Sequence, residues 1–193
     1  MRSRTTVAIV FVAGLCAPGL LHGQPKAAAD KAFVSGGTID LQLDGGNYDI
    51  QPASDNHIRV ILNGTTGQPR VDVTITGTHA EVRVKDTPRN NFQATIEVPK
   101  AADVVVRLSA GNLVIGAIAG AKDVESYAGN VQIAVGDPNE YSSVDASVKA
   151  GDIDARVFGG SKSGLFQHFT WSGRGKHTLR AHLGAGNLEL RSK

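Results

Sequence analysis

The tetrapeptide Ala-Gly-Asn/Asp-aliphatic occurs four times, and each copy leads into alternating apolar residues. The copies are Ala110-Gly111-Asn112-Leu113, Ala128-Gly129-Asn130-Val131, Ala150-Gly151-Asp152-Ile153 and Ala185-Gly186-Asn187-Leu188, with a looser one upstream at Gly45-Gly46-Asn47-Tyr48. Recurrence at about twenty-residue spacing is the mark of a stacked, quasi-one-dimensional architecture. Aligned on the glycine, the apolar slots coincide. Val106, Val124, Ala146 and Ala181 lie five residues before it; Leu108, Ser126, Val148 and Leu183 lie three before. Leu113, Val131, Ile153 and Leu188 lie two residues after it; Ile115, Ile133, Ala155 and Leu190 lie four after. The intervening residues are mostly polar, so each corner joins two strands with one apolar and one wet face.

Glycine lets a chain bend where any side chain would clash, and Asn or Asp hydrogen-bonds its neighbours in such bends. The corner residues Gly111, Asn112, Gly129, Asn130, Gly151, Asp152, Gly186 and Asn187 are therefore structural, and stacked corners would let Asn side chains share hydrogen bonds from rung to rung. Gly-Asn also suits antiparallel hairpins, which are the alternative. The recurrent Ala before each glycine and the spacings 111 to 129 to 151 favour a β-solenoid. The longer interval from 151 to 186 predicts an insert around 159–176, emerging as a loop, and a final coil at the C-terminal edge. Upstream, period-two runs from Ile39 to Val98 predict further short strands, with turns at Asn63-Gly64 and Asp86-Thr87-Pro88.

Residues 1–23 have the layout of a secretory signal peptide: Arg2 and Arg4, an apolar run over Val7–Ala13, then small residues up to Gly23. Pro18, Gly19 and His22 break the segment too early for a membrane span, and none is expected in the mature chain. Residues 24–32 read as a flexible leader and 33–193 as the solenoid domain. The single cysteine, Cys16, falls within the signal, so disulfides and thiolate chemistry are not expected in the mature protein. Loss of Arg2 and Arg4 takes Lys+Arg from 20 to 18, matching the 18 Asp+Glu. That balance gives no reason to expect nucleic acid as a partner.

The segments Ile96–Val106 with Ser109–Leu113, and Gly175–Leu188, resemble the bacterial "putative adhesin" family of exported envelope proteins, similar to autotransporter adhesin heads. The resemblance spans about residues 33–191. It implies a right-handed parallel β-helix and carries over no catalytic residues.

For binding, the aromatic insert stands out: Phe166, Phe169 and Trp171, with Arg174 and Lys176 nearby, form either an amphipathic patch or a cover over the solenoid. His177 and His182 are five apart in a strand and face opposite ways, and His57, His79 and His168 have no ligand neighbours in sequence, so no metal or other cofactor is expected. Asp152, Asp154 and Arg156 could mimic a carbohydrate-enzyme site, the alternative reading. Asp152 occupies an Asn corner slot, however, and Asp154 with Arg156 reads as a solvated ion pair. Gly173-Arg174-Gly175-Lys176 reads as a basic turn. The expectation is an exported, non-enzymatic adhesin-like protein of the periplasm, outer envelope or surface. Its partner would be an envelope or surface protein or glycan, and exposed coil ends add a route to self-association.

Overall fold

The computed structural model describes residues 27–63 and 68–192. The expected signal peptide, and Gly64 of the expected Asn63-Gly64 turn, lie outside them. The described residues form twelve strands and two single 3-10 turns. The strands are β1 (Ala29–Ala32), β2 (Thr38–Leu43), β3 (Gly46–Pro52), β4 (His57–Leu62), β5 (Arg70–Thr76), β6 (His79–Lys85), β7 (Gln93–Val98), β8 (Asp103–Ile115), β9 (Lys122–Ala134), β10 (Tyr141–Ala155), β11 (Gly160–Ser172) and β12 (His177–Arg191).

All twelve belong to one mixed, open sheet whose centre is the parallel series β8-β9-β12-β10. Each of these long strands carries one Ala-Gly-Asn/Asp corner, dividing it into a first and a second arm. The corners lie side by side: Gly46 pairs with Gly111, Gly111 with Gly129, and Gly151 with Gly186. At the β8 end the sheet forks. β2, β6 and β5 continue the first arm; β3, β7, β4 and β1 continue the second. At the other end β11 runs antiparallel along β10.

The stacking explains the glycines. A Cβ on Gly111 would land on the carbonyl of Gly46, one on Gly129 on that of Gly111, one on Gly186 on that of Gly129, and one on Gly151 on that of Gly186. All four have φ between 125° and 139°. Beside them runs an asparagine ladder: Asn187 donates to Asn130 (3.1 Å), Asn130 to Asn112 (3.1 Å) and Asn112 to Asn47 (2.9 Å). Asp152 takes the next place and accepts from Ser163 of β11, where the parallel stack ends.

Behind the corners the apolar slots form buried columns, such as Leu41-Val106-Val124-Ala181-Ala146-Phe169 and Tyr48-Leu113-Val131-Leu188-Ile153. One slot holds Lys122, which is buried. Its ammonium donates to the Ile118 carbonyl (2.6 Å) and the Tyr141 hydroxyl (2.7 Å). Burial lowers its pKa to about 8, against the pull of Glu140 and Asp103, and burial raises that of Tyr141.

Four expectations are corrected. Rungs do not follow chain order as in a right-handed parallel β-helix: the sheet is partly antiparallel, and β12 lies between β9 and β10. The C-terminal rung is therefore interior, and the edge is β11. The 151-to-186 interval is long because it holds a whole strand, β11, rather than a loop. The leader's last four residues form β1 on β4, tied by Asp30 to His57 (2.7 Å) and Arg59 (3.1 Å). Those two partners, His57 first, hold the Asp30 carboxyl below its ordinary range.

Two outcomes are expected. Gly129→Ala should cost more than about 3 kcal/mol in urea unfolding, because the clash is with backbone. Gly136→Ala, at φ 72° with open space around it, should cost only about 1–2 kcal/mol. Lys122 binds its proton less tightly when folded, so the burial penalty is full below pH 8 and vanishes as the group deprotonates. Thermal stability should rise from pH 8 towards 10, then fall as the buried Tyr141 is forced to ionise; Lys122→Met should flatten the rise.

Candidate functional site

The outward residues of the first arm align across eight strands. One row reads Asp72, Arg83, Gln42, Arg107, Glu125, His182, Ser147, His168 from β5 to β11. At about 4.8 Å per strand, the row is about 34 Å long. Much of it is internally satisfied. Arg107 bonds Asp123 (3.0 Å) and Glu125 (3.2 Å); His182 Nδ1 meets Ser147 Oγ at 2.7 Å; His168 meets Asp145 at 3.0 Å.

The next row towards the corners is different in kind. Two residues before each glycine stand Ser109, Tyr127, Gly184 and Lys149, and Phe166 of β11 lies opposite Lys149, between paired positions 165 and 167. Tyr127 is 81% exposed, Phe166 80% and its neighbour Leu165 69%. Gly184 leaves a gap between Tyr127 and Lys149. A trough of about 440 Å³ opens here, bordered by Tyr127, Lys149, Ser109, His182, Arg107 and Glu125 among others. Lys149 is exposed and, among the described residues, makes no ion pair or side-chain hydrogen bond, whereas the nearby Arg107 is committed to its acids. At Gly184 the backbone leaves no room for a side chain: a Cβ there would strike the Tyr127 carbonyl.

The aromatic insert divides. Phe169 is buried at the end of an apolar column, and Trp171 is half-buried with its ring 4.9 Å from that of Phe158. Phe166 alone stands out, at φ 52°. Arg174 and Lys176 are exposed in the turn from β11 to β12, eight and ten residues from Phe166. At about 3.4 Å per residue they are more than about 20 Å from it along the strand, so the five residues do not form one patch. Asp154 and Arg156 make a two-pronged pair (2.8 and 3.0 Å from Nε) that lowers the Asp154 pKa. Among the described residues no three His, Cys, Asp or Glu side chains are grouped to hold a metal ion, and no helix is long and apolar enough to cross a membrane. Tyr127, Gly184 and Lys149 escape a reading by local composition, although the glycine-anchored repeat puts them in one slot.

This geometry defines the chain as an all-β protein built on a corner-stacked mixed sheet. Its fold is similar to the crystal structure of a protein named as a putative cell adhesion protein from Clostridium sporogenes. The TM-score is 0.51 at 14% identity, over 88% of this chain and 100% of that one. At that identity the likeness speaks for the fold alone. No family model matches the chain, and no curated protein does.

The split of the aromatic insert has a measurable consequence. Trp171→Ala should lower stability by about 2–3 kcal/mol through lost packing on Phe158. Phe166→Gly should be neutral or stabilising by up to about 1 kcal/mol, since the exposed ring packs on little and its backbone suits glycine. Urea midpoints of the two variants distinguish these roles.

Proposed function

We propose that this is an exported, non-catalytic, adhesin-like protein that offers the outer face of its first arm as a rigid binding surface for an envelope or surface component. The observation that carries the reading is the eight-strand polar face held in one register, with a trough and two exposed aromatic rings beside it. A loop-built surface would have to be ordered on binding; here the backbone is already fixed by ladder hydrogen bonds, so association loses less entropy. The N-terminal charge and hydropathy pattern supports export. The Clostridium protein's name as a cell adhesion protein points the same way. We read the parallel β8-β9-β12-β10 core as the solenoid-like part of the scaffold, with the antiparallel strands as its flanks.

The test is co-sedimentation of the chain lacking residues 1–23 with purified envelope fragments. Retention should be strong for the wild type and fall at least tenfold for Tyr127→Ala combined with His182→Ala. It should be unchanged for Gln132→Ala on the second arm. Equal retention of all three would refute the first-arm face as the binding surface. Release of new reducing ends, stopped by Asp154→Asn, would show a carbohydrate-cleaving enzyme in its place.

A further inference from the structure

We infer that the trough beside Tyr127 takes a strand of acidic polysaccharide lying across the β-strands, with Lys149 meeting its anionic groups, the Tyr127 ring bordering it, and the Phe166 ring lying beyond Lys149 in the same row. The inference rests on the binding reading above and names the ligand class for it. Three independent features converge on it.

The row itself has the form of a channel. Tyr127 and Phe166 occupy positions three strands apart, about 14 Å at normal strand spacing. Between them stand only Gly184, which has no side chain, and Lys149. A narrow ligand crossing the sheet would rest on Gly184 backbone without having to displace anything.

Neither ring is used to any extent in packing the fold. Tyr127 sits mid-strand with four-fifths of its surface in water, and its neighbours in the same slot are Ser, Gly and Lys. Phe166 holds a left-handed backbone, φ 52°, a conformation that favours glycine. Aromatic rings kept out in this way offer flat apolar faces to a ligand with flat apolar faces of its own, as a sugar ring has.

Charge then selects the class. Arg107 is neutralised by Asp123 and Glu125, and His182 is engaged with Ser147, whereas Lys149 has no partner among the described residues. Among the residues lining the trough the available cation is therefore Lys149, and an anion there gains without breaking a pair. A protein partner is the poorer fit, because protein hot spots cluster in desolvated centres. Here the rings are spread apart over a wet, polar trough.

The experiment is calorimetric titration of the chain lacking residues 1–23, whose buried cluster runs from Phe33 to Leu190, with alginate, a polyuronate, and with neutral dextran. Alginate should bind and dextran at least tenfold more weakly. Lys149→Gln, a substitution at an exposed side chain without contacts to lose, should cut alginate affinity at least tenfold and reduce its salt dependence. Tyr127→Ala should cut it by a similar factor, and Gln132→Ala should leave it unchanged. Equal binding of dextran, or alginate binding indifferent to Lys149→Gln, overturns the inference. Envelope retention that persists while alginate fails to bind, and that protease treatment of the envelope abolishes, overturns it in favour of a protein partner and leaves the wider reading intact. Failure of both overturns both.

Discussion

The structure depends on the contact of glycine with glycine at the corners. Each corner carbonyl occupies the place where the next rung's Cβ would be, so adjacent rungs keep sheet spacing through a sharp bend only if every one of them lacks a side chain there. Once that is satisfied, the rest follows by translation. The asparagine amides come within 2.9–3.1 Å of one another, the apolar slots superimpose into columns, and the outward residues superimpose into rows. The ladder is directional, each amide donating towards the β3 side. It ends at a residue with no donor to give: Asp152 turns to the hydroxyl of Ser163 on the antiparallel strand that closes the series.

The corners, the columns and the all-β class were legible in sequence, because glycine anchoring puts Val106, Val124, Ala146 and Ala181 in a single slot. The order of the rungs was not. Ala181 and Leu183 of β12 match the slots of Ala146 and Val148 of β10 so closely that the repeat pattern lets either strand fit beside β9; in the structure it is β12. β11 itself was hidden for a related reason. Ser161 to Phe166 lie at a sheet end with both faces wet, so the period-two signal that marks a half-buried strand is missing. The cross-strand pairs His57–Asp30 and His168–Asp145 join residues 27 and 23 apart, beyond any local pattern.

The candidate site was half legible for the same physical reason. Phe166 is conspicuous in a chain with few aromatics, but Trp171 and Phe169 are equally conspicuous and are spent on packing against Phe158 and the end of a column. Composition cannot separate a ring that covers apolar surface from one that faces water; only the register does. Tyr127, Gly184 and Lys149 carry no signature singly, and their meaning comes from sharing one row with Phe166. Beside them, Arg107 is neutralised by Asp123 and Glu125, which leaves Lys149 as the uncommitted cation at the trough.

The interior position of β12 has a bearing on how the molecule is assembled. A chain made from its N-terminus produces β9, then β10 and β11, before the fifteen residues of β12 exist. Until those residues emerge, β9 and the β10–β11 hairpin have no direct ladder to share. Closure of the wall therefore waits for β12, which enters as a keystone between β9 and the β10–β11 hairpin.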